Sequence, residues 1–219
     1  MPLFRLLQLS SSTLPVGGYS YSSGLESAVE KGWINGATHL KEWLSVQMTD
    51  SLSLLDLPII LFQVSTLNSH GDEHKLRFWN QYILASRETK ELRLTEVEMG
   101  RAISRLLDRL GVDTPLKTFE EPTFITGFAA AATAWRIQAT LAASGYLWSW
   151  LENQIMAAIK TMRFGQSDAQ ELLGELMQLA PACIEKSSQQ VENTIGSSLP
   201  GLAMASAHHE TQYSRIFRS

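Results

Sequence analysis

The pair His208-His209, followed by Glu210, is the stretch of this chain whose residue types most openly suggest chemistry, because imidazole and carboxylate groups ligate nickel and zinc. The spacing argues against a closed site. His209-Glu210-Thr211-Gln212 runs into Tyr213 where a His-Glu-x-x-His zinc helix needs a second histidine, and adjacent histidines point different ways. The expectation is a polar helix end, with a transient nickel contact as the alternative. The other histidines, His39, His70 and His74, do not complete a ligand set. Cys183, the only cysteine, lies beside Ala182 and Ile184 without a nearby histidine and reads as a buried structural thiol. Ser20 and Ser22 lack a base partner in sequence, so loop hydrogen bonding outranks nucleophilic catalysis. No Gly-x-x-x-x-Gly-Lys-Ser/Thr loop is present, which argues against P-loop nucleotide binding.

What remains is a vocabulary of contact. Leu14 to Glu26 is a glycine-, serine- and tyrosine-rich loop that leads into a helical pattern. Its glycines admit unusual backbone angles and its tyrosines offer flat amphipathic rings, so it reads as a recognition surface. Near the other end, Tyr213, Ile216 and Phe217 stand at i, i+3 and i+4, flanked by Arg215 and Arg218. These residue types dominate interface energetics. A segment that follows Pro200-Gly201 is expected to be flexible until a partner's groove orders it as an amphipathic anchor. Removal of the chain from Ser206 onward is then expected to leave the bundle folded and to abolish partner capture. Between these segments, Arg87 to Glu98 is a mixed-charge run that reads as a solvated helix face with an Arg87–Glu91 pair. Lys160 reads as a salt-bridge or interface cation.

Helices must position these groups, because strand alternation is absent. Apolar residues fall on single faces at Leu40, Trp43, Leu44, Met48 and Leu52, at Trp79, Tyr82 and Ile83, and at Leu92, Met99, Ile103, Leu106 and Leu110. Leu57 to Val64 is apolar nearly all round and is expected at the centre of the fold. The small-residue run from Gly127 to Ala132 reads as a buried contact helix. A helix is expected from about Ser22 to Trp33, with Thr38 capping the next and a turn at His70-Gly71-Asp72. Gly145 is expected to interrupt the second half, Ser167 and Gln170 have capping-box spacing, and Pro181 starts a last helix that Ser197 to Gly201 ends. The expected architecture is an all-α single-domain bundle, residues 1–219, of roughly eight to ten helices with a flexible C-terminal tail. It divides into an N-terminal half 1–113, a linker 114–122, a C-terminal half 123–201 and a partner-binding tail 202–219.

Composition narrows the classes. With 219 residues and a net charge of -4, the chain can bury a real core and lacks the basic balance of a nucleic-acid binder. The opening residues lack the apolar region of a secretory signal, and Phe124 to Trp135 falls short of the ~20 apolar residues of a membrane span. A cytoplasmic protein without nucleic-acid or membrane partners is expected.

Several blocks, taken together, resemble a known family. The loop Pro15-Val16-Gly17-Gly18-Tyr19-Ser20 with Gly24-Leu25-Glu26, the blocks Ser86 to Arg93 and Met99-Gly100-Arg101, the stretch Tyr146 through Lys160 to Gln166, and the end His209 to Ser219 are similar, in order, to the urease accessory protein UreF. Tyr19 stands where phenylalanine is common in the family. The resemblance implies an all-helical, non-catalytic protein that forms a homodimer and joins UreD (UreH in some bacteria) and the GTPase UreG during nickel delivery to apo-urease. It implies no permanently bound cofactor, nickel being handled by the assembled complex. It further implies that Tyr19, Ser20, Glu26 and Lys160 face the GTPase, and that Tyr213, Arg215, Ile216, Phe217 and Arg218 belong to the partner-binding tail. Arg101 and Arg215 are the arginines a GTPase-directed finger would use.

Overall fold

A computed structural model of the chain describes residues 1–69, 72–162 and 164–219. Among these residues the regular structure is helical, with eleven α-helices: α1 Pro2–Leu9, α2 Leu25–Glu30, α3 Ala37–Gln47, α4 Asp56–Ser69, α5 Glu73–Ser86, α6 Lys90–Arg109, α7 Phe124–Ala134, α8 Ala139–Thr161, α9 Gln166–Met177, α10 Ala180–Ser188 and α11 Pro200–His209. The expected turn at His70 and Gly71 lies outside the described residues. Asp72, just beyond it, caps α5 by accepting the backbone N–H groups of His74 and Lys75.

The all-round apolar run does form the centre. In α4, Leu57, Ile59, Ile60 and Val64 are fully buried, and the helix packs on α5, α7 and α8. Gln63 of α4 is equally buried and donates from Nε2 to Thr126 Oγ1 of α7 at 2.9 Å. Helices α3 and α4, with the π-type turn Met48–Leu52 between them, span a run long and apolar enough to cross a membrane by length and composition. More than half of its most apolar window is buried in the protein, however, and Asp56 sits inside the core. The run therefore reads as the centre of a packed bundle.

Small residues bring α6 and α7 together. A Cβ on Gly127 would collide with Ile103 Cγ2, and one on Gly100 would collide with the Pro122 carbonyl oxygen. The second collision is with backbone, so no side-chain rearrangement relieves it. Beside this contact, Arg87 Nη2 lies 2.6 Å from both Asp56 Oδ1 and Glu96 Oε1. Tyr146 Oη donates to Asp56 Oδ1 at 3.2 Å, and Glu96 Oε2 accepts the Phe124 N–H at 3.1 Å. Burial works against the Arg87 charge, but Asp56 and Glu96 outweigh it and hold the guanidinium protonated. One charged cluster thus joins α4, α5, α6, α7 and α8. The expected Arg87–Glu91 pair does not form. Arg87 follows the last residue of α5 and Glu91 lies in the first turn of α6, so the two are not neighbours on one helix.

Other expectations shift for identifiable reasons. Helix α2 starts at Leu25, since Ser23 and Gly24 have φ of 52° and 82° and turn the chain first. Gly36, not Thr38, precedes α3, and Gly165 precedes α9 without a side-chain cap from Ser167. Helix α8 continues through Gly145, whose missing side chain admits Leu6 and Ser10 at the end of α1. The break falls earlier, at Arg136, where φ is 55°. Pro200 opens α11 rather than ending a helix, a position where proline gives up no hydrogen bond. Cys183 is buried as expected, and that burial pushes its thiol up.

Candidate partner-binding surface

The opening loop, α2, the first turn of α6, the end of α8, α11 and the last residues of the chain meet in one place. Helix α11 lies on α2 at Gly24, where a Cβ would stand 3.0 Å from the Ser206 backbone nitrogen. Thr89, which caps α6, shares a 2.7 Å hydrogen bond with Ser206. This brings His209, at the end of α11, between two acidic helices. Its ring is completely buried, with Nδ1 2.7 Å from Glu91 Oε2 and Nε2 3.2 Å from Glu26 Oε2.

The same two carboxylates hold the tail. Glu26 Oε1 accepts the Ile216 N–H at 2.7 Å and Oε2 accepts the Phe217 N–H at 2.9 Å. Glu91 Oε1 accepts from Arg215 Nη1 at 2.9 Å. Ser20 O accepts the Arg218 N–H at 2.8 Å, and the Ser219 carbonyl accepts both the N–H and the hydroxyl of Ser22 at 2.7 Å. Thr95 of α6 meets the Ser219 hydroxyl at 3.0 Å.

Residues 210–219 are therefore irregular chain docked on their own body, not a flexible tail or an amphipathic helix. The helical spacing of Tyr213, Ile216 and Phe217 is not used, because backbone donors go to side chains and loops instead. Phe217 is buried, while Tyr213 and Ile216 point outward with relative exposures of 104% and 66%. Loss of residues from Ser206 onward would open this buried pocket as well as delete the tail.

Lys160 completes the arrangement from the last turn of α8. Its ammonium lies 5.8 Å from the Tyr19 ring centroid and 5.4 Å from that of Phe217, within cation–π range. It has no carboxylate partner among the described residues, so the salt-bridge expectation gives way to two aromatic rings. Tyr19, Lys160, Arg215 and Arg218 are exposed. The nominated residues thus sort into a rim of Tyr19, Lys160, Tyr213, Arg215, Ile216 and Arg218, and a foundation of Ser20, Glu26 and Phe217. Glu26 does not face solvent; it acts on the surface through the tail. Beneath the loop lies a cavity of about 120 Å³, lined by Gly18, Tyr21, Asp56, Arg87, Tyr146 and Gln154 among others.

The sequence suggests His209 only as part of a polar helix end or a transient nickel contact and Glu91 only as a partner for Arg87, and places neither beneath this surface. The available signal was Glu96, a carboxylate on the apolar stripe of Leu92, Met99 and Ile103, which marks α6 as carrying buried acids. His208 is exposed and packs edge-on to Trp33, 6.1 Å between centroids. Among the described residues no group of three or more His, Cys, Asp and Glu side chains is placed to hold a metal ion.

The fold is all-α, and the distinctive residues of the opening loop and of the tail meet on one surface. Residues 34–177 match the family model for UreF. Over 99% of its length the chain is 47% identical to a urease accessory protein UreF of Marinomonas sp. (strain MWYL1), covering 94% of that protein. It is 43% identical to the one of Azoarcus sp. (strain BH72), covering 96% of it. It is 40% identical to the one of Alcanivorax borkumensis, covering 97% of it. This chain belongs to the UreF family.

Proposed function

We propose that the chain is a cytoplasmic, non-catalytic scaffold of urease maturation. It joins UreD/UreH to the GTPase UreG, regulates the use of GTP by UreG, and supports nickel insertion into apo-urease, with the metal handled by the assembled complex. The observation that carries this reading is the convergence on Lys160 of Tyr19 and Phe217, which come from opposite ends of the chain. Exposed tyrosines and arginines on a rigid base are what a protein interface uses for its strongest contacts. To regulate a GTPase the scaffold must bind its nucleotide states with different affinity, since equal affinity shifts nothing.

Support for a homodimer comes from a different face. An open apolar groove between α8, α9 and α10 is lined by Leu147, Trp148, Leu151, Met177 and Ile184, with Trp148 and Met177 exposed. Exposed apolar surface of this kind marks protein contacts.

Co-purification of the wild type, Tyr19→Ala and Lys160→Ala chains with UreD/UreH and UreG, with and without GTP, tests the proposal. The expected result is nucleotide-dependent capture of UreG by the wild type and its loss in both variants. Undiminished capture by both would reject the surface.

A further inference from the structure

We infer that His209 is a doubly protonated clasp, and that the charge on this one buried ring decides whether the tail is docked. The argument starts from donors and acceptors. Both ring nitrogens face carboxylate oxygens, at 2.7 Å and 3.2 Å. A neutral imidazole has a single N–H, so one nitrogen would turn a lone pair toward a carboxylate. Only the imidazolium donates to both.

The neighbouring charges point the same way. From α2 the facing group is Glu26, from α6 it is Glu91, and from the tail it is Arg215, on the second oxygen of Glu91. Lys160 of α8 stands further out, over Phe217, and His208 and Glu210 on either side of His209 are exposed. Two carboxylates with one guanidinium leave a negative charge unmatched around a fully buried ring, and the imidazolium matches it. Neither acid can relieve the deficit by taking the proton without loss. Glu26 already accepts two backbone N–H groups and Glu91 accepts from Arg215, bonds that favour the charged carboxylate.

The clasp therefore links the tail to proton concentration. Where a released histidine would be neutral, the ring between Glu26 and Glu91 keeps a proton that release gives up. Docking is strongest where histidine is protonated and the carboxylates are not, and weakens as pH rises. Release would remove Arg215, Ile216 and Arg218 from the rim and take Phe217 from beneath Lys160. That consequence rests on the partner-surface reading above; the clasp itself does not.

The test needs no partner. In the wild-type chain, ¹⁵N spectra of the His209 ring are expected to show protons on both nitrogens while the tail is docked. Amide protection of Ile216 and Phe217 is expected to fall as pH is raised from about 6 to about 9, by up to about tenfold per pH unit. In Glu91→Gln the carboxamide can donate to Nδ1 and still accept from Arg215, so a neutral ring suffices and protection should become nearly independent of pH. An unprotonated ring nitrogen in the docked wild type, or the same pH dependence in Glu91→Gln, would overturn the clasp. If the clasp behaves as expected and UreG capture ignores the same pH change, the clasp stands and the partner-surface reading fails.

Discussion

Ile216 and Glu26, separated by 190 residues along the chain, meet through a 2.7 Å hydrogen bond from a backbone N–H to a buried carboxylate. The contact converts the C-terminal segment from an appendage into part of the body. It also explains why the opening loop, which carries no acid–base machinery, runs into a helix that begins Leu25-Glu26. The glutamate serves as an acceptor for the tail, and the loop in front of it supplies the Ser20 carbonyl and the Ser22 donors.

Replacing this acceptor should therefore release the tail without unfolding the bundle. Glu26→Ala leaves the Ile216 and Phe217 amides and one ring nitrogen of His209 without partners, at about 1–3 kcal/mol for each buried group left unsatisfied. Hydrogen exchange should show the two amides losing their protection while α4 and α7 keep theirs.

Tyr213 makes the opposite case. Its side chain is fully exposed, so Tyr213→Ala should change the melting temperature by little. If it is an interface anchor, the same change should weaken capture of UreD/UreH or UreG by about 2 kcal/mol or more, roughly thirtyfold in Kd. Calorimetry of the free chain and titration with each partner separate the two effects.

Gly100 tests the packing that positions α6. Gly100→Ala forces a methyl group into the Pro122 backbone and should cost about 3 kcal/mol or more, read from urea denaturation. Gly174, where an added Cβ meets nothing, is the control: Gly174→Ala should be neutral or slightly stabilising.

The parts of this arrangement that repeat locally were legible in the residues. The apolar run at Leu57 to Val64 and the small-residue stripe at Gly127 to Ala132 mark the buried helices, because burial on all sides and close approach each restrict composition over consecutive positions. The unusual composition of the loop and of the tail was recognisable. That they contact each other was not, since a pairing such as Glu26 with Phe217 spans 191 residues and leaves no period to read. The charged run at Arg87 to Glu98 misled for a related reason. Intrahelical spacing suggested Arg87 with Glu91, whereas a helix boundary between them sends Arg87 to Asp56 and Glu96 and sends Glu91 to His209 and Arg215.

Tyr146 gives a pH dependence of known sign. Burial, followed by the nearby Asp56 and Glu96, pushes its phenol well above the ordinary value of 10.0. Its folded value lies above its unfolded one, so its contribution is intact below about pH 10 and is lost as pH rises further. Unfolding free energy should then fall by up to about 1.4 kcal/mol per pH unit from this one group. Tyr146→Phe should cost about 1 kcal/mol at neutral pH, for the bond to Asp56, and should remove that share of the alkaline slope. Denaturant titrations across the alkaline range compare the two slopes.

The central claim is that this chain works through a surface its two ends build together over Lys160. The most direct measurement is affinity for UreG, in the presence of UreD/UreH and GTP, for the wild type, Lys160→Ala and Glu26→Ala. The account predicts that both variants keep the folded bundle and lose UreG binding, one by removing a rim cation and the other by releasing the tail. Wild-type affinity in a Glu26→Ala chain whose tail is shown by hydrogen exchange to be undocked would contradict it.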